Sequence, residues 1–146
     1  MMRKVTALLF LLLLAGCGGE SDMVSFETRL ASFEPVEGYA ERILPGGQKI
    51  WVAETTVLTG ADTVEAQVMP GPRGPMISVT LNENGRLKFS AATAASVGKP
   101  MAMLIDGDLV SAPMVQAPIT EPRLLIMGDF DEDEALRIAR GVVPAP

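Results

Sequence analysis

The sequence has one cysteine, Cys17, placed directly after an apolar stretch near its amino terminus. A chain with a single thiol cannot close an internal disulfide, so the domain that follows must be held by its apolar core. The residues before the thiol read as a targeting segment. Arg3 and Lys4 are its positive end, and Val5 with Ala7 to Ala15 its apolar centre. That centre is too short to cross about 30 Å of hydrocarbon, which takes about 20 apolar residues.

The segment Leu14-Ala15-Gly16-Cys17 resembles the bacterial lipobox, in which small residues admit the signal peptidase and the thiol accepts diacylglycerol before cleavage. The expectation is a lipoprotein signal over residues 1–16, a lipidated Cys17 with a Gly-rich tether to residue 22, and one domain over residues 23–146. The lipid on Cys17 is then the membrane anchor and the location extracytoplasmic. In a Gram-negative host, Gly18 after the cysteine resembles the signal for the outer membrane, with the domain facing the periplasm.

Without Arg3 and Lys4, the twelve Lys and Arg fall to ten against eighteen Asp and Glu, a formal balance of −8. An acidic surface disfavours nucleic acid and anionic lipid as partners, since both reward clustered cations. The chain has no histidine, which removes Ser-His-Asp and Cys-His catalysis and His-containing zinc sites. No cofactor is expected, because no phosphate-binding Gly-Lys-Ser/Thr follows the glycines of Pro70 to Pro75.

Periodicity predicts an α+β domain, ordered β-β-α-β-α-β-β-β-α, with two principal helices on a mainly antiparallel sheet. Strands are expected over Met23 to Ser32 and Lys49 to Val57. A short helical turn from Thr59 to about Ala66 would be capped by Thr59 or Asp62. Pro70 to Pro75 is expected as a hairpin connection, and Met76 to Leu81 as a strand burying Ile77, Val79 and Leu81. Asn82 caps a helix over Glu83 to about Val97, stopped by Gly98. Met101 to Ile105, apolar on both faces, reads as a central strand. Asp106-Gly107 is a two-residue turn, because type I′ needs positive φ at both positions. The return strand runs about Leu109 to Gln116, where Pro113 marks an edge or a bulge. A strand over Arg123 to Gly128 and a helix over Asp131 to Gly141 complete the domain.

From Trp51 onward the ordered motifs resemble one family, SecD of the Sec translocon accessory complex, in the head of its first periplasmic domain. The residues carrying the resemblance begin with Leu58-Thr59-Gly60-Ala61-Asp62 and Ser78-Val79-Thr80-Leu81-Asn82. Gly85, Lys88-Phe89, Thr93, Gly98-Lys99 and Met103-Leu104-Ile105-Asp106-Gly107 follow. Ser111-Ala112-Pro113, Ile119-Thr120, Ile126 to Phe130, Glu134-Ala135 and Arg140 to Pro146 complete the set. Each piece also has a structural job as turn, cap or core, so the resemblance implies a fold more strongly than an activity. That family couples proton flow through membrane helices to movement of the head. With those helices and the base of the domain not present in this sequence, the expectation is passive contact with polypeptide.

Other chemistry is sparse. Asp129, Asp131 and Asp133 mimic the start of an EF-hand, but Glu134 replaces its glycine and Arg140 its bidentate glutamate. Asp131 is better read as a helix cap, with Glu132, Asp133 and Glu134 at the positive helix end. Asp106, Asp108 and Glu121 are the remaining carboxylates for a catalytic pair, which is the remote alternative of a carboxylate-only hydrolase. The expected function is non-enzymatic, without metal or cofactor: binding of unfolded polypeptide or of an envelope protein. A structural or assembly lipoprotein with one dedicated partner is the alternative. The candidate surface is the sheet edge at Leu109, Val110, Ser111, Ala112, Met114 and Val115, where an unpaired backbone row can add a peptide strand. Six methionines on expected strands, Met69, Met76, Met101, Met103, Met114 and Met127, either fill the core or supply an adaptable apolar surface.

Overall fold

A computed structural model describes residues 23–146; the signal segment, Cys17 and the tether lie outside the described residues. The α+β class and the order of the expected elements hold, with two strands added to them. Strand β1 (Phe26–Ser32) is followed by the first addition, β2 (Ala40–Ile43), and by β3 (Lys49–Thr59). A single 3-10 turn (Gly60–Asp62) then leads straight into the second addition, β4 (Thr63–Gly71). The helical turn expected through Ala66 is therefore corrected to three residues. The rest of that segment is extended, and Pro70 sits in it without cost because β4 is an edge strand that needs no donor there. Next come β5 (Gly74–Leu81), α1 (Glu83–Ala95), β6 (Met101–Ile105), β7 (Asp108–Ser111), β8 (Arg123–Ile126) and α2 (Glu132–Gly141).

The strands form two sheets, one of five in the order β2-β3-β1-β6-β7 and one of three in the order β4-β5-β8, with every strand pair antiparallel. Helix α2 lies on β4 and β5, and α1 on β3, β5 and the 3-10 turn. Between them sits the main core of Phe26, Leu58, Ile77, Val79, Phe89, Ile126, Phe130 and Ile138. Ile77, Val79 and Leu81 are buried on one face of β5, as their alternation predicts. All five residues of β6 are buried, as a run apolar on both faces requires. A second cluster of Ala31, Ile50, Val52, Ala102 and Leu104 fills the other face of the five-stranded sheet.

Caps and turns follow local chemistry. The Asn82 side chain accepts from the Gly85 amide at 2.8 Å, and Asp131 from the Glu134 amide at 2.8 Å. Asp106 and Gly107 take φ of 51° and 83°, the two positive values a type I′ turn needs. Helix α1 ends at Ala95, so Val97 is not part of its buried face and is exposed instead. In the 3-10 turn the roles of Thr59 and Asp62 are joined rather than alternative. Asp62 reaches back, and its carboxylate accepts from the Thr59 amide at 3.0 Å.

The chain enters the domain at a pinned point. Val24 donates to the Gly141 carbonyl at the end of α2 at 3.0 Å, and Asp106 donates to the Ser25 carbonyl at 2.8 Å. The Asp106 side chain accepts from the Ser25 amide at 3.0 Å and pairs with Arg137 at 3.1 Å. The carboxylate of the β6–β7 turn thereby ties the entering chain and α2 to the turn.

Candidate functional site

The candidate edge begins with strand β7. Among the described residues it pairs with β6 alone and ends the five-stranded sheet, while Pro113 lies two residues beyond its end. A register shift between Met103 and Leu104 marks a bulge in that ladder. Strand β7 is shorter than expected, ending at Ser111. Beyond it Pro113 and Val115 are tied to the start of β6 and the segment just before it. Met101 donates to the Pro113 carbonyl at 3.0 Å, Val115 to the Lys99 carbonyl at 2.9 Å, and Gly98 to the Val115 carbonyl at 2.7 Å. The candidate residues therefore divide. Leu109, Val110, Ser111 and Ala112 lie half-buried along the edge, Met114 is exposed, and Val115 is a core residue.

A groove of about 510 Å³ opens beside this edge. One wall is Val110 and Ser111, and another is the β2–β3 connection from Leu44 to Gln48. The β4–β5 turn, Gly71 to Pro75, and the segment Met127 to Asp129 close the remaining sides, with Met76 between them. Its charged members are Arg73 and Asp129; the rest are apolar, small or amide-bearing. Gly128 is shaped by this wall, because a Cβ there would stand 2.5 Å from the Phe130 ring.

Two methionines, Met76 and Met127, line the groove, and Met69 lies beside Met76 on the neighbouring strand. Met69 pairs with Met76 across β4 and β5, and Ile77 pairs with Ile126, which sets Met127 next to Met76 on the same face. The core-filling reading holds for Met101 and Met103, while Met69 and Met127 lie on the surface. The thioether is unbranched and polarisable, which suits a surface meeting varied apolar side chains.

Sheet curvature is the feature that sequence reasoning missed. Strands β2 and β7 end opposite sides of the five-stranded sheet, yet Arg42 of β2 donates to the Gly107 carbonyl at 3.0 Å. Two residues further along each chain, Leu44 and Leu109 both pack on the second apolar cluster. Further still, the 44–48 segment and Ser111 line the same groove. The sheet is therefore curled until its two edges face each other across a seam. No local sequence signal reports this, because β2 is four residues long and exposed throughout.

One buried carboxylate stands apart from the groove. Asp62 is 3% exposed and forms an ion pair with Lys88 at 2.9 Å. Burial raises its pKa, but the Lys88 hydrogen bond, the Thr59 amide, the Lys88 charge and Asn84 outweigh this and hold it below the usual 3.8. It joins the 3-10 turn to α1 and is committed to that task. Among the described residues no group of three acidic or thiol side chains is arranged to hold a metal ion, and no helix is long and apolar enough to cross a membrane.

This architecture, a curled antiparallel sheet and a three-stranded sheet joined through two helices, has counterparts of known family. The family described as SecDF, P1 head subdomain, matches residues 37–141. The protein translocase subunit SecD of Elusimicrobium minutum is 37% identical over 123 residues, covering 80% of this chain and 26% of that protein. The SecD of Acidaminococcus fermentans is 39% identical over 85 residues, covering 58% of this chain and 20% of that protein. A solved structure described as SecDF, a membrane component that enhances protein export, shares the fold with a TM-score of 0.65 at 22% identity. That likeness covers 84% of this chain and 63% of the other. The chain belongs to the SecDF P1 head family, as its ordered motifs implied. It spans about a fifth to a quarter of the length of these two SecD relatives.

Proposed function

We propose that this SecD head-like domain acts outside the cytoplasm, anchored by lipid on Cys17, and binds unfolded polypeptide without catalysis or energy coupling. The observation that carries the reading is the groove of about 510 Å³ beside the free edge of β7, where main-chain groups meet aliphatic and thioether side chains. An extended chain satisfies an unpaired strand edge through its own backbone, and pockets beside the edge take alternate side chains. Family membership supports the same direction, since the relatives are translocase subunits and the solved counterpart is described as enhancing protein export.

The test is fluorescence anisotropy of a labelled unfolded polypeptide titrated with the full chain in detergent micelles. Saturable binding is expected, weakened by Met127→Asp, which places a charge on the exposed groove wall. Failure of several unfolded polypeptides to bind, beside saturable binding of one folded envelope protein, would replace this reading with that of a dedicated assembly partner.

A further inference from the structure

The seam between β2 and β7 has a direction. From β2 the sheet passes through β3, β1 and β6 to β7 in four antiparallel steps, so β2 and β7 point the same way. Their alignment is parallel as well. Arg42 meets Gly107, Leu44 and Leu109 share the second apolar cluster, and the 44–48 segment faces Ser111 across the groove. Neither strand has a second partner among the described residues, so each presents an unpaired backbone row to the same gap.

We infer that the seam is a slot for one extended polypeptide strand, which runs antiparallel to both β2 and β7 and closes the curled sheet into a six-stranded barrel. This deepens the function proposed above and rests on it. Three observations favour a polypeptide backbone as the occupant. The seam offers main-chain donors and acceptors on both sides, and a strand running antiparallel to two parallel edges continues the all-antiparallel order of the sheet. Among the described residues the hydrogen bond crossing it comes from a side chain, Arg42, satisfying a carbonyl that a strand would otherwise meet. Val110 and Ser111 of β7 line the groove opposite the 44–48 segment, so the edge opens onto free space there. The inner side of the slot, at Leu44 and Leu109, is apolar, so alternate residues of the bound strand are apolar and face inward.

The experiment uses the full chain in micelles with a synthetic peptide of alternating valine and threonine, and the same peptide N-methylated at every second residue on its hydrogen-bonding edges. N-methylation removes donors while keeping the side chains. With several backbone bonds lost together, affinity is expected to fall at least about tenfold. Amide hydrogen exchange of the complex is expected to slow at residues 40–44 and 108–111 together. Equal binding of the methylated peptide, or protection confined to one of the two strands, would overturn strand insertion while leaving polypeptide binding in place. No binding of either this peptide or the unfolded polypeptides of the anisotropy titration would overturn both.

Discussion

Replacing the buried Asp62 by alanine should cost the domain more stability than removing an exposed ion-pair carboxylate such as Glu83. The carboxylate is 3% exposed and accepts from the Thr59 amide at 3.0 Å, Lys88 at 2.9 Å and Asn84 at 3.3 Å. A hydrogen bond to a charged acceptor contributes about 1.5–3 kcal/mol, and its loss leaves the Thr59 amide unsatisfied in a partly buried turn. Lys88 is 47% exposed and can turn to water, so its ion pair is discounted to about 0.5 kcal/mol. Asp62→Ala should therefore destabilise the fold by about 2–4 kcal/mol at pH 7, lowering Tm by roughly 8–15 °C for a domain of this size. The effect has a pH signature. The folded pKa lies below 3.8, so the carboxylate's contribution is complete above about pH 5 and fades as pH falls through that lowered value. Urea unfolding of the full chain, followed by the fluorescence of its one tryptophan, Trp51, measures both effects. A difference under about 1 kcal/mol at pH 7, or one unchanged between pH 7 and pH 3, would refute the reasoning.

Other substitutions probe separate links. Gly85→Ala should destabilise by about 1–3 kcal/mol by urea melt, because a Cβ there would stand 2.8 Å from both the Cβ and the main-chain oxygen of Asp62. Ile138→Ala, at a fully buried position of α2, should cost about 2–5 kcal/mol in the same assay. Asn82→Ala should remove the α1 cap for about 0.5–2 kcal/mol, seen as faster hydrogen exchange in the first turn of α1. Cys17→Ser should abolish incorporation of labelled palmitate and release the chain from the membrane fraction on cell fractionation.

The elements visible in the sequence were those whose cause is local. Asp106-Gly107 demanded positive φ, Asn82 and Asp131 offered oxygens to first-turn amides, and Met101 to Ile105 was apolar on both faces. Strand β4 was hidden because Pro70 and Gly71 at its end suggest a loop, and only its edge position makes them tolerable. Strand β2 was hidden because all four of its residues are exposed, leaving no apolar alternation to detect. Of the candidate site, the β7 edge was legible through the hairpin turn. The opposite lip was not, since the approach of Arg42 to Gly107 depends on the curl accumulated over five strands. Val115 was misplaced on the edge for a related reason: it pairs with Lys99 and turns inward.

The most direct test of the central claim places a photo-cross-linking amino acid at Met127, on the exposed wall of the groove. The full chain is irradiated with one purified secretory polypeptide, first held unfolded and then folded. The account predicts an adduct with the unfolded form, lost on folding and competed by excess unlabelled unfolded chain. Equal adducts with both forms, or none with the unfolded one, would contradict it.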